Sequence, residues 1–275
     1  MRMREGETRI RRANRWLGRR VRIWWFNRRS LARLLGREHV LCLGDSHLKV
    51  MRDVQLPNVS FRTCGVGGAT ASGILNLNSK SRAAAIFKKR LGRTGRWQRV
   101  LLLLGEIDCG FLIWQRAELH GISVDEQLTQ TLDAYEAFIT DLVQSGFKEV
   151  IVLSPPLPTI DDETKKIGIS KVARERISIA ATQRERTQLT LRFTTELREL
   201  CARIGVTFLD VTSAQLDESS GLIRSDYLHH NPRDHHLASE PYSQLIAHQL
   251  QTVLSLDADG GVLESAALED VGDGA

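Results

Sequence analysis

The sequence predicts an α/β domain built on a parallel sheet that is covered on both faces. Short apolar, β-like runs alternate along the chain with amphipathic or polar stretches of helical character, which is the pattern such a sheet requires. At 275 residues and 42% hydrophobic content, the chain can bury one full core, and two complete domains are not expected.

The first strand is expected at Val40–Gly44 (VLCLG) and a second at Val59–Cys64. Val100–Gly105 (VLLLLG), Glu149–Leu153 (EVIVL) and Val206–Asp210 (VTFLD) supply the third, fourth and fifth. The clearest helix runs over Ser123–Gly146, where Leu128, Leu132, Tyr135, Phe138, Ile139 and Leu142 recur at near-helical spacing and Gly146 serves as a stop. After the fourth strand, Ser154-Pro155-Pro156-Leu157-Pro158 excludes regular helix and reads as a loop at the carboxyl edge of the sheet. Lys171–Ile204 is charged and helix-favouring, enough for one or two helices that could shape a cleft or an oligomer contact.

Three segments follow from this reading: a basic extension over 1–37, the α/β domain over 38–255, and a disordered tail over 256–275, rich in Gly, Ala, Asp and Glu. The extension carries thirteen arginines, no lysine, and only Glu5 and Glu7 as acids. It therefore holds +11 of charge, and the rest of the chain is mildly acidic. Arginine interleaved with Trp16, Trp24 and Trp25 suits the boundary of an anionic membrane, and equally a solvated helix packed on the domain by its aromatic face. Nucleic acid is not an expected partner, because nothing downstream resembles a nucleic-acid reader.

The four cysteines, Cys42, Cys64, Cys109 and Cys201, are widely spaced without a CxxC pair, so buried free thiols are expected rather than a disulfide framework or a zinc ribbon. The sequence shows neither a run of about 18 uncharged apolar residues nor an apolar signal region. A cytoplasmic location, with peripheral membrane contact through residues 1–37, is the expectation.

Chemistry concentrates at two places. Strand one ends in Gly44-Asp45-Ser46-His47, which puts a serine on a turn at the carboxyl edge, where open α/β sheets place their sites. A serine hydroxyl is a poor nucleophile until a base removes its proton, so a histidine must come from elsewhere in the chain. The second place is Asp234-His235-His236-Leu237-Ala238-Ser239-Glu240-Pro241-Tyr242, a loop that carries Asp and His into a final apolar-periodic helix.

With these two blocks in order, the chain resembles the SGNH, or GDSL-type, hydrolases over roughly residues 39 to 252. The resemblance implies a three-layer α/β/α sandwich with a five-stranded parallel sheet in the flavodoxin-like order 2-1-3-4-5. It implies Ser46 as nucleophile and His236 as general base, His236 being followed directly by Leu237 with Tyr242 six residues on. The family spacing is DxxH, but position 233 is arginine, so Asp234 is assigned as the acidic partner. The literal DxxH of Asp226 and His229 ranks second. The oxyanion donors implied are the amides of Ser46 and of Gly68 in Gly65-Val66-Gly67-Gly68-Ala69-Thr70.

The departure lies in the third block. Gly105-Glu106-Ile107-Asp108 places Ile107 where the family carries an asparagine, and an isoleucine cannot donate a hydrogen bond. Asn76, Asn78, Asn231 or a protonated Glu106 could substitute. Glu106 and Asp108, with a cation such as Arg116, could contact a substrate hydroxyl, or else cap the helix that follows. No cofactor or metal is called for, although His229, His230, His235 and His236 with Asp226 and Asp234 form a rival metal set.

The resulting expectation is a carboxylic ester hydrolase that releases short acyl groups, such as O-acetyl on a carbohydrate, through an acyl-enzyme on Ser46. An acyltransferase using the same residues, or a non-catalytic binding or scaffold protein of the same fold, are the rivals.

Overall fold

The computed structural model describes residues 38–254 apart from Ile169. The basic extension and the acidic tail expected from the sequence lie outside the described residues, and with them the membrane contact. In chain order the sheet and its covering helices are β1 (Glu38–Gly44), β2 (Val59–Gly65), α1 (Ala83–Leu91), β3 (Arg99–Leu103), α2 (Ile113–His120), α3 (Val124–Gln144) and β4 (Glu149–Leu153). There follow α4 (Asp162–Ile167), α5 (Lys171–Arg176), α6 (Gln183–Ile204), β5 (Thr207–Leu209), a small hairpin of β6 (Leu216–Asp217) and β7 (Leu222–Ile223), and α7 (Ser239–Leu254).

All five main strands run parallel in the order β2-β1-β3-β4-β5, as expected. Period-2 alternation divides their side chains between two cores. Leu41, Leu43, Val100, Leu102, Val150 and Val152 pack on one face with Phe87 of α1, Tyr135 and Ile139 of α3, and Phe193 and Leu197 of α6. Val40, Cys42, Leu101, Leu103, Ile151 and Leu153 pack on the other with Leu48 and Met51 of the 3-10 turn Ser46–Arg52, and with Ile246 and Leu250 of α7. Continuous apolar runs were needed because both faces of the sheet are buried.

The long expected helix is α3. Its cap is Ser123, whose side chain accepts from the Glu126 amide at 3.0 Å, and Gly146 follows it at φ 73°. The charged stretch 171–204 is two helices. The second starts on a capping box in which Thr182 and Glu185 satisfy each other's backbone amides. Strand three stops at Leu103, two residues short of the expected Gly105, and a π-helical turn over Asp108–Leu112 then leads into α2. The four cysteines are free thiols, with Cys64 half-buried and the others buried. Among the described residues no helix is long and apolar enough to cross a membrane.

At the amino edge of the sheet, Arg99 is buried and lies 2.5 Å from Glu38 and 2.5 Å from Glu149, tying β1, β3 and β4 together. Arg99→Ala removes the buried cation that Glu38 and Glu149 share, leaving Glu38 with Lys148 and Glu149 with Thr207. The expected cost is about 3 kcal/mol, the low end for a broken buried pair because both acids keep some solvent. The midpoint and slope of urea unfolding measure it.

Candidate functional site

The site grows out of the end of β1. A Cβ at Gly44 would lie 2.4 Å from the Leu103 carbonyl oxygen, so only glycine allows β1 to approach β3 that closely before the chain turns. Asp45 then caps the 3-10 turn by accepting from the His47 amide at 2.8 Å. Ser46 is left half-buried as the first residue of the turn, where a helical amide has no partner within its own helix. Residue 47 is driven inward by the same turn, and His47 is 3% exposed.

The histidine loop reaches this place by several ties. Leu228 bridges Leu237, and the Ala238 amide donates to the Tyr227 carbonyl at 2.9 Å. Thr159 of the proline loop donates to the His235 carbonyl at 2.7 Å. That proline loop is buried, with Gln183 and Gln215 bonded to its backbone, so it is a fixed wall.

Asp234 lies beside His236: its Oδ1 is 2.5 Å from His236 Nδ1 and also accepts the His236 amide at 3.0 Å. Asp226 instead forms a two-point ion pair with Arg224 on the surface, and His229 accepts from the Asn231 amide. Burial raises the Asp234 carboxyl, but the hydrogen bonds from His236 outweigh it and bring the pKa down to about 2. Burial and the neighbouring His47 lower that of His236, which keeps the ring uncharged near neutrality. Its Nε2 is buried without a partner. No hydrogen bond joins it to the Ser46 hydroxyl among the described residues. Such bonds are commonly long until substrate binds.

Two residues not singled out by the sequence, His47 and Arg176, belong to this cluster, together with His235, which the sequence offered only as a metal ligand. His47 Nδ1 is 3.2 Å from Asp45 Oδ1, and its ring centroid is 4.8 Å from that of His236. His235 stacks at 4.2 Å on His236 and meets His47 edge-on at 5.5 Å. Arg176, from α5, donates to Glu106 at 2.6 Å, and both side chains are buried. The partner of Glu106 is thus Arg176, where the sequence had suggested Arg116. Burial opposes the Glu106 charge, but Arg176, His47 and His235 prevail and bring its pKa down to about 2. A protonated Glu106 donor is therefore corrected: the acid is ionised.

Asp108 is fully buried, and its carboxylate accepts from the Ala71 amide at 2.8 Å, the Ser72 amide at 3.1 Å and the Ser72 hydroxyl at 2.6 Å. It has no face left for substrate and instead braces the glycine loop against the end of β3. Within that loop Gly68 is exposed at φ 79°, and its amide has no protein acceptor among the described residues. Asn76, Asn78 and Asn231 are exposed, and Asn76 and Asn231 cap their own turns. The rival metal set also divides: His229 and His230 pair at 4.3 Å, while His235 and His236 join His47.

No family model and no curated sequence matches the chain. Solved structures do. A Streptococcus pneumonia protein assigned as a platelet activating factor aligns at a TM-score of 0.54 and 17% identity, over 90% of this chain and 99% of that one. A GDSL-like lipase from Bacteroides thetaiotaomicron aligns at 0.50 and 12%, over 80% and 89%. The fold is that of the GDSL-type hydrolases. An assigned acylhydrolase from Bacteroides fragilis aligns at 0.51 and 13% identity, over 83% of this chain and 94% of that one. On this GDSL-type fold, Ser46, the glycine loop and the histidine loop all come from the carboxyl edge of the sheet.

Asp108→Ala leaves three donors unpaired, the buried amide of Ala71 and the amide and hydroxyl of half-buried Ser72. It is expected to cost at least about 3 kcal/mol and to raise amide exchange at Ala71 and Ser72. A residue that only touched substrate would leave both quantities unchanged.

Proposed function

We propose that the protein is a serine-dependent ester hydrolase with Ser46 as nucleophile, His236 as general base and Asp234 as the residue that orients it. The observation that carries the reading is the 2.5 Å contact of Asp234 with His236 Nδ1, which leaves a buried, unpartnered Nε2 in the loop beside the turn of Ser46. A carboxylate on one ring nitrogen fixes the tautomer whose other nitrogen can take a proton.

In the first step His236 Nε2 takes the Ser46 proton as Oγ bonds to the ester carbonyl carbon. The Ser46 and Gly68 amides receive the oxyanion. When the intermediate collapses, the C–O bond to the alcohol breaks and the imidazolium returns the proton to the leaving oxygen. Water then repeats the sequence on the acyl-enzyme and releases the acid. Each amide donor contributes roughly 100- to 1,000-fold in rate. With Ile107 where a third donor would stand, this site works with two amides and is a slower catalyst by about that factor for one missing donor.

For the substrate we propose short acyl esters, O-acetyl groups on a carbohydrate in particular. Around His236 the pocket carries the polar side chains of Lys49, Arg52, Asp53, His229, Asp234 and Ser239 beside Val50, Leu237 and Tyr242, and those polar groups can bond a hydroxyl-rich alcohol.

A fluorophosphonate probe is expected to label the wild type and not Ser46→Ala. Hydrolysis of p-nitrophenyl acetate is expected to fall about 1,000-fold or more in both Ser46→Ala and His236→Ala, with unchanged circular dichroism. Labelling of Ser46→Ala, or retained turnover in His236→Ala alongside loss in His229→Ala, contradicts the assignment.

A further inference from the structure

Ester hydrolysis by Ser46 needs one free imidazole nitrogen, and the site holds more. His47 and His236 each have Nδ1 against a carboxylate, Asp45 at 3.2 Å and Asp234 at 2.5 Å, and each has Nε2 buried with no partner. His47 is 3% exposed, so its orphan nitrogen is shut away from solvent. A buried polar atom without a partner is unfavourable and calls for a ligand. His235 brings a third ring to the same point, and one ring nitrogen from each of the three lies within 4.8 Å of the other two.

We infer that His47, His235 and His236 form a binding site for a nitrogen-preferring divalent transition-metal ion such as Zn2+. A triangle with sides of 4.8 Å has its centre about 2.8 Å from each corner, so closing to Zn–N bonds of about 2.0–2.1 Å asks each ring to move by less than an ångström. The carboxylates on the far ring nitrogens of His47 and His236 are the outer shell that metal-binding imidazoles regularly carry; they set the tautomer and raise the basicity of the ligating nitrogen. Asp45, Asp234 and Glu106 supply negative charge near the ion, with Arg176 offsetting part of it. Three imidazole nitrogen donors favour zinc, cobalt, nickel or copper over magnesium and calcium, which take oxygen.

Occupancy has a consequence for hydrolysis, which alone rests on the assignment of His236 as base. The lone pair of Nε2 cannot bind a metal ion and accept the Ser46 proton at once. The loaded protein is therefore the inactive form, and metal removal restores the base.

The test uses the untagged full chain, stripped with a chelator and titrated with Co2+, then Zn2+ as competitor. One equivalent of Co2+ is expected to bind with visible absorption of a low-coordinate nitrogen site, and Zn2+ to displace it. His47→Ala and His235→Ala are each expected to weaken binding at least 10-fold, while His229→Ala binds as the wild type does. Zn2+ is expected to raise the melting temperature of the wild type and not of folded His235→Ala. One equivalent of Zn2+ is also expected to cut p-nitrophenyl acetate hydrolysis more than 10-fold, reversibly with EDTA, and to leave His235→Ala within about 2-fold of its metal-free rate. No stoichiometric Co2+ binding by the wild type, or equal binding by the wild type and both variants, overturns the site. Fluorophosphonate labelling in EDTA reads the hydrolase separately: labelling without metal binding removes only the metal site, and metal binding without labelling removes only the hydrolase.

Discussion

At Gly44 the first strand comes so close to the carbonyl of Leu103 that no side chain fits between them, and the chain can turn sharply only because that approach is open. The turn decides three things together. It leaves Ser46 at the carboxyl edge of the sheet, it drives His47 into the second core, and it puts the Asp45 carboxylate where it can cap the turn and hold the His47 ring. The rest of the site is delivered to this corner: the glycine loop by the Asp108 brace, the histidine loop by Thr159 and the bridge of Leu228 with Leu237. A larger residue at 44 would shift the nucleophile and the buried imidazole alike.

Around that corner the dominant energy is the cost of burying charge, and each ionisable group is held by a specific partner. Glu106 stays ionised because Arg176 reaches it from α5, and Asp234 because it accepts two hydrogen bonds from His236. For His235, burial, helped by His47, His236 and Arg176 against Glu106, lowers the pKa to about 4, which leaves it neutral. The pattern differs from a site built for ester hydrolysis alone, in which one oriented imidazole is sufficient. The surplus imidazoles are the physical reason for assigning a second, metal-binding state to the same cavity.

Much of this was legible in the sequence, and the limits have physical causes. The central strands β1, β3 and β4 are buried and read as continuous apolar runs, and β4 was placed to the residue. The α3 helix carried its own cap and stop. Asp234 is preferred to Asp226 because the Leu and Tyr pattern leading into the last helix follows His236 and not His229; in the structure Asp234 Oδ1 accepts the His236 amide and lies 2.5 Å from its Nδ1. His47 was written beside Ser46, but its inward orientation is a property of the turn and of α7 packed below it. Arg176 belongs to a charged helix with nothing local to distinguish it from Arg174; only the tertiary path of α5 brings it to Glu106. Asp108 looked available because a carboxylate after a strand often faces a cleft, whereas here the returning backbone of Ala71 and Ser72 takes it up. The α2 helix was obscured by a π-helical turn that breaks the 3.6-residue periodicity.

The central claim is that acyl groups pass through Ser46, and trapping the acyl-enzyme tests it directly. The metal-free protein, mixed with a slowly deacylating p-nitrophenyl ester and quenched in acid, can be digested and mapped by mass spectrometry. The account predicts a single acyl adduct on Ser46 that disappears on longer incubation. Steady hydrolysis with the acyl group on another residue, or with Ser46 unmodified at every time point, would contradict it.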